Sequence, residues 1–176
     1  VNGYLIKNIR MINADGEVVS DRNERFTDTL NDEGYRFPPH KLGARIFADV
    51  DFPKDMTDAE IGKMTRLSKV MIGKTNMLGY RKSRNILAYS SQEIAEMVNL
   101  KDRQGRAFIS KMLLLKVISK VDVNNKPQYY INPAYFMASG QRLSLDLFLL
   151  FKDDIAPMIP KWVLTSFLMQ AQEKKV

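Results

Sequence analysis

A mainly α-helical chain with a small β-hairpin, an α+β arrangement, is what this sequence predicts, and three observations predict it. The first is a pair of helix signatures in close succession after Ser90. Ser90 with Glu93 three residues on is a capping box, in which each side chain accepts the other residue's backbone N–H. Ile94, Met97 and Val98 then fall at the i, i+3, i+4 spacing of one buried face. Asn99 to Asp102 reads as a tight turn, with Asp102 as N-cap of a longer second helix, so the two make a helix-turn-helix. The second observation is the pattern that follows: Val121 and Val123, the turn Asn124-Asn125-Lys126-Pro127, then Tyr129 to Ile131, a β-hairpin. The third lies upstream, where Thr57 and Glu60 form another capping box and Ile61, Met64, Leu67, Ser68 and Met71 continue one helical face to about Ile72. Helix, helix-turn-helix and hairpin in that order are a winged helix-turn-helix, the hairpin being the wing.

The second helix of the pair is built unevenly. Arg103, Arg106 and Ser110 share one face, because three- and four-residue steps stay on one side of a helix, and Phe108, Met112 and Leu115 lie opposite. Beyond Met112 the residues are apolar nearly all round, which predicts a buried C-terminal half. A basic, solvated beginning and an anchored end suit a helix whose first residues meet base edges in the major groove of duplex DNA. Lys101, Arg103, Gln104, Arg106, Ser110 and Lys111 are therefore candidate DNA-binding residues, joined by Asn124, Asn125 and Lys126 at the wing tip. Arg106 offers a planar fork that matches the two acceptors of guanine. Gln104 could read adenine or cap the first turn, and Ser110 and Lys111 could reach phosphates or an adjacent base edge. Each has a blander reading: exposed helix charge for the arginines, good turn chemistry for Asn-Asn. Arg81, Lys82 and Arg84 make a secondary basic patch.

Charge distribution favours the DNA reading. The chain has 176 residues and a net charge of +7, with 45% hydrophobic and 27% charged residues, the balance of a globular protein. Residues 1–75 carry 12 basic and 12 acidic groups, residues 143–176 carry 4 and 4, and residues 76–142 carry 11 against 4. The whole surplus lies in the segment of the helix-turn-helix and wing, as a phosphate-binding surface requires. No apolar run approaches the roughly 18 to 20 residues of a membrane span, so no membrane partner is expected. The start, Val1-Asn2-Gly3-Tyr4, carries no charged-then-apolar signal region, and no cysteine is present. That fits a reducing interior, and the expected location is the cytoplasm.

Along the chain, Tyr4 to Asn13, the turn Asp15-Gly16 and Glu17-Val18-Val19 predict an N-terminal hairpin. Ser20 to Gly34 reads as a loop, Phe37-Pro38-Pro39 as extended chain, and Ile46 to Phe52 as a short strand or an irregular anchor. Thr75 to Leu87 reads as strand and loop or a short helix. Tyr129 and Tyr130 should point to opposite faces, one into the core. After Asn132-Pro133, Leu143 to Phe151 predicts a buried helix with Ser144 as cap, and Pro160 opens a terminal helix through about Gln172. The expected divisions are an N-terminal extension over residues 1–55, the winged domain over 56–137, and a C-terminal helical segment over 138–176.

Enzymatic chemistry finds little to work with. His40 is the one histidine, which with no cysteine leaves no zinc ligand set. Asp49/Asp51 and Asp153-Asp154 could hold magnesium but read as solvated loop ends. Gly73-Lys74-Thr75 lacks the glycine five residues earlier that a phosphate-binding loop needs, since Ser68 stands there. No catalytic residue, metal or cofactor is expected.

The run from Asp58-Ala59-Glu60-Ile61-Gly62 through the helix-turn-helix to Tyr129-Tyr130-Ile131-Asn132-Pro133-Ala134-Tyr135-Phe136 resembles the winged-helix proteins of plasmids and phages typified by RepL-type replication proteins. The same fold occurs in MarR-like regulators. The tail Gln141 to Phe151 is similar to the way such chains continue past the wing, so the resemblance covers roughly residues 56–155. It implies a sequence-specific double-stranded DNA-binding protein of plasmid or phage type. A transcription regulator is the leading expectation, a replication initiator binding its own origin the second, and a protein-interaction module the third. The candidate partners are double-stranded DNA, a second copy through the C-terminal helices, and host replication or transcription proteins. Gly105 is unusual inside a recognition helix: it either lets the backbone approach DNA closely or is merely tolerated.

Overall fold

The structure, a computed structural model, describes residues 4–27, 30–31, 34–35, 44–72, 75–83, 85–138 and 143–173. Both capping boxes form. Thr57 Oγ1 accepts the Glu60 N–H at 3.3 Å while Glu60 Oε2 accepts the Thr57 N–H at 2.8 Å, and helix α1 runs Asp58–Ser68. Ser90 and Glu93 repeat the exchange at 3.2 and 2.7 Å and start α2, Ser91–Met97. That helix ends because Asn99 takes φ 56, a left-handed value that asparagine tolerates; the Leu100 N–H then bonds back to the Ala95 carbonyl at 2.9 Å and the Asn99 N–H to the Glu96 carbonyl at 3.0 Å. The longer α3, Asp102–Leu114, closes in the same way on Lys116 at φ 55. Lys101, not Asp102, is its N-cap residue, and it makes no side-chain cap bond. Asp102 is the first helical residue.

The chain divides into two compact units, Val1–Leu42 and Gly43–Val176. In the first, strands β1 (Tyr4–Ile12) and β2 (Val18–Thr27) form the expected antiparallel hairpin. Its turn is held by Asn13 Oδ1, which accepts the N–H of Asp15 at 3.1 Å and of Glu17 at 2.8 Å, with Gly16 at φ 83. β2 continues through the polar stretch that the sequence assigns to a loop from Ser20. Ladder hydrogen bonds rather than a periodic apolar face define it, and a hydrophobic pattern does not detect such a strand. Leu30–Asn31 (β3) and Gly34–Tyr35 (β4) add a short ladder. His40 and Phe37-Pro38-Pro39 lie outside the described residues.

The second unit is a mixed fold, which corrects the expectation of a mainly helical domain with a small wing. Its short strand β5 (Ala44–Arg45) pairs with β11 (Met137–Ala138). Between them lie β6 (Met71–Ile72), β7 (Met77–Lys82), β8 (Asn85–Ala88), β9 (Ile118–Val123) and β10 (Lys126–Ile131), which form one five-stranded antiparallel sheet. β7 is its hub: Met77 sits between Ile72 and Tyr130, and its later residues pair with β8. Two segments account for the difference. The helical face seen through Met71 and Ile72 in fact stops at Ser68, and the last two apolar residues are β6. The segment 75–87, read as strand and loop or a short helix, supplies two paired strands, β7 and β8, rather than one strand or a helix. The hairpin expected as a wing does form as β9–β10. Its two-residue turn places Asn124 at φ 51 and Asn125 at φ 60, the pairing a tight turn between twisted strands requires. Tyr129 is buried and Tyr130 half-buried. Ile46 to Phe52 is irregular, and Phe52 anchors it by packing on Tyr135 and Phe136 at ring-centroid distances of 5.5 and 5.4 Å.

Two buried asparagines tie these parts together. Asn76, at φ 55, donates to the carbonyls of Ile131 at 3.0 Å and Phe136 at 2.7 Å and accepts the Ala138 N–H at 3.3 Å. Asn132 donates to the Lys116 carbonyl at 2.9 Å and to Asp154 Oδ2 at 2.8 Å, and its Oδ1 accepts the Ala134 N–H at 3.0 Å. Ser144 caps α4 (Leu145–Leu150), and α5 (Lys152–Ile155) and a 3₁₀ turn (Ala156–Met158) follow. Leu147, Phe148, Phe151, Ile155 and Ala134 form a second core cluster on which α6 (Lys161–Glu173) rests, Phe167 stacking on Phe148 at 4.8 Å. Pro160 immediately precedes α6 rather than opening it, its carbonyl accepting from Val163 and Leu164.

Gly105 is explained by packing. It is buried on the inner side of α3, and a Cβ there would lie 2.1 Å from the Cβ of Ala95 on α2. The glycine permits close approach of two helices, not of DNA. An alanine would gain about 0.5–1 kcal/mol of helix preference but overpack the crossing at about 1–3 kcal/mol. Gly105→Ala is therefore expected to lower unfolding stability in a denaturant titration, and adding Ala95→Gly should recover most of the loss; a stabilised single variant would refute this account of the crossing.

Candidate nucleic-acid interface

The exposed side of α3 follows from what its other side must bury. Gly105, Phe108, Ile109 and Met112 face the core, so Arg103, Arg106, Ala107 and Ser110 face solvent, the arginines and Ser110 together as their spacing predicts. Lys101 and Gln104 are exposed at the helix start and its edge. The expectation of a buried C-terminal half is corrected at Leu114, which is 82% exposed at the end of the same face. Asn124, Asn125 and Lys126 are all exposed at the β9–β10 tip. Arg81 and Lys82 are exposed on the distal half of β7; Arg84, like Gly73 and Lys74, lies outside the described residues.

Ion pairs sort these basic groups. Arg106 is bonded to Asp102 one turn earlier, both side chains more than half exposed. Such a surface pair is worth only about 0.3–0.5 kcal/mol, so it pre-positions Arg106 without withholding it from a stronger partner. Lys111 is different. Its ammonium donates to both carboxylate oxygens of Glu60, at 2.9 and 2.8 Å, across a groove of about 340 Å³ between α1 and α3 that Lys63, Gln104 and Ala107 also line. Glu60 is already the capping-box carboxylate of α1, so a single group fixes that helix start and binds α3 to it. Lys111 is thereby removed from the readily available contacts. The i, i+4 spacing of Asp102 and Arg106 is readable in a sequence; a pairing across 51 positions is not. Further along, Lys116 pairs with Asp153 at 2.9 Å and Lys120 with Asp122 at 3.4 Å. Lys101, Arg103 and Lys126 have no ion-pair partner among the described residues.

Of the acidic pairs considered for magnesium, Asp153-Asp154 serves other ends: Asp153 holds Lys116 and Asp154 accepts from Asn132. Among the described residues no group of three His, Cys, Asp or Glu side chains is placed to hold a metal ion, and no helix is long and apolar enough to cross a membrane. No family model, no curated protein and no solved structure matches this chain.

Hydrogen bonds from Lys111 and from the Thr57 backbone hold the Glu60 carboxyl below its usual range. A carboxylate whose pKa is depressed by folding adds stability above its unfolded value of about 4.3, and that stability is lost as pH falls through the folded value. Acid unfolding of the native chain should thus include a Glu60 contribution below about pH 4.3. Glu60→Gln should flatten the pH dependence of stability in that window and lower stability at neutral pH. Parallel profiles for the two proteins would contradict the assignment.

Proposed function

We propose that this chain is a non-enzymatic, sequence-specific double-stranded DNA-binding protein that acts as a transcription regulator. The observation that carries the reading is the α2–α3 pair: a helix anchored along one side by close packing, with Arg103, Arg106, Ala107 and Ser110 left on a convex, solvated face. A helix-turn-helix delivers such a face to the major groove, where arginine reads guanine and a small apolar side chain can meet a thymine methyl. The exposed β9–β10 tip, with Lys126 beside two asparagines, suits flanking phosphates. In this reading Arg103 and Arg106 specify, Lys101 and Lys126 position, and Lys111 with Glu60 sets the angle of α3. Selection of bound duplexes from a randomised library tests the reading, and mapping the enriched sequence to promoters or to iterated repeats beside a replication origin separates a regulator from an initiator. Arg106→Ala should weaken binding to the selected site by about 1–3 kcal/mol and relax preference at one base pair. Wild-type affinity and preference in that variant would remove α3 as the reader.

A second copy of the chain is the partner we propose for α6. This 13-residue helix has no buried residue, Trp162 is 75% and Met169 58% exposed one heptad apart, and no charged residue lies between Lys161 and Glu173. On a protein of net charge +7, a neutral apolar face is where two copies approach with least repulsion. Two-fold pairing would make the bound site a pseudo-palindrome. Sedimentation at micromolar concentration should give a dimer for the native chain and a monomer for Trp162→Ser with Met169→Ser. A monomeric native protein bound to a single half-site would sink this part of the proposal.

A further inference from the structure

Between Ile61 and Gln92 the sequence has seven Lys and Arg and no Asp or Glu. By contrast, Glu93 to Ile131, spanning α2, α3 and the β9–β10 hairpin, has seven basic residues against four acidic ones, and four of the seven are tied in ion pairs: Arg106, Lys111, Lys116 and Lys120. The most strongly positive stretch of the second unit therefore precedes the helix-turn-helix: Lys63 and Arg66 lie on α1, Lys69 at its end, and Arg81 and Lys82 on β7.

The β7–β8 hairpin is anchored at one end and free at the other. Met77, Leu78 and Gly79 are buried, whereas Tyr80, Arg81, Lys82, Asn85, Ile86 and Leu87 are exposed. The strands pair from Gly79 opposite Ala88 out to Lys82 opposite Asn85. They are locked close at the base, where a Cβ on Gly79 would lie 2.5 Å from the Leu87 carbonyl oxygen and where Tyr80 packs on Tyr89 at 5.2 Å. Arg81 and Lys82 have no ion-pair partner among the described residues.

Strand register gives the direction in which this ribbon points. Met77 lies opposite Tyr130, and β7 and β10 are antiparallel. At that bridge β7 runs on towards Lys82 in the direction in which β10 runs back towards Lys126; beyond it β8 takes over the edge of β7, the Tyr89 N–H bonding to the Leu78 carbonyl at 3.1 Å. Arg81 and Lys126 are both four residues from that bridge, at about 3.3 Å per residue. The two hairpins leave that bridge in the same direction, and each carries towards its tip cations with no ion-pair partner among the described residues. We propose that β7–β8 is a second DNA-contacting arm, whose Arg81 and Lys82 bind phosphates of the duplex that the β9–β10 tip approaches. This rests on the DNA-binding reading above. A phosphodiester backbone is the favoured occupant over a protein surface because the stretch is free of acids and its distal cations are solvated and unpaired.

The test is the slope of log affinity against log salt for the full chain on a mixed-sequence duplex, which needs no knowledge of the specific site. Each phosphate contact contributes about 0.9 to that slope, so Arg81→Gln with Lys82→Gln should reduce it by about two units. The charge-matched control Lys54→Gln with Lys152→Gln, at exposed positions on other segments, should leave it unchanged, and the exchange Arg81→Lys with Lys82→Arg should keep it near wild type. An unchanged slope in the first variant, or an equal fall in the control, overturns the arm while leaving the DNA-binding reading intact. Failure of the native chain to bind any duplex overturns both.

Discussion

The second unit depends most on the burial of Asn132. Its side chain makes three hydrogen bonds, its own N–H donates to the Val117 carbonyl at 2.9 Å, and its carbonyl accepts from Tyr135 and Phe136 at 3.2 Å each. Those bonds join the end of α3, the start of β9, the turn after β10 and the first turn of α5. A buried polar group left without a partner costs about 1–3 kcal/mol, and here one residue satisfies groups on four separate elements. No apolar side chain could do so. Asn76 serves in the same way at the start of β7, on the other side of β10. The exit of the β9–β10 hairpin is thus gripped by two amides, and the orientation of that hairpin relative to α3 is set by hydrogen bonds with defined directions.

Position of α3 follows from three further constraints of different kinds. Gly105 lets α2 approach to the distance at which Ala95 touches the helix backbone. Glu60 binds Lys111 while capping α1. Asn99 in the left-handed region ends α2 in a turn short enough that α3 must cross it closely. Each acts on the inner side of α3 or along its edge, which leaves the outer face with no structural task. That separation makes the face available for recognition.

Electrostatics change character between chain and fold. Counted along the chain, the surplus falls in the segment of the helix-turn-helix and the hairpin after it. In the fold much of that charge is spent on internal pairing, because Asp102, Glu60, Asp153 and Asp122 lie within reach of four of its cations. The stretch from Ile61 to Gln92 contains no acid of its own, and Arg81 and Lys82 stand exposed on the distal part of the β7–β8 hairpin. Net charge per segment therefore overstates the first surface and understates the second.

Local chemistry was legible in the residues themselves. The two capping boxes, the Ser144 cap, the two-residue Asn124-Asn125 turn, the N-terminal hairpin turn and the inner and outer faces of α3 are all decided within a few positions, by hydrogen bonds and periodicities that a sequence displays. Tertiary structure alone decided the rest. Met71 and Ile72 continue a helical periodicity, yet they form a strand because β7 offers them a ladder. Strand β2 carries no apolar alternation and exists through pairing with β1. The roles of Gly105, Lys111, Asn76 and Asn132 depend on neighbours 10, 51, 55 and 16 positions away, and no local pattern encodes such contacts. Hydrogen bonding along the chain is written in its order; the five-stranded sheet and the charges that remain free on it arise only when distant segments compete for the same partners.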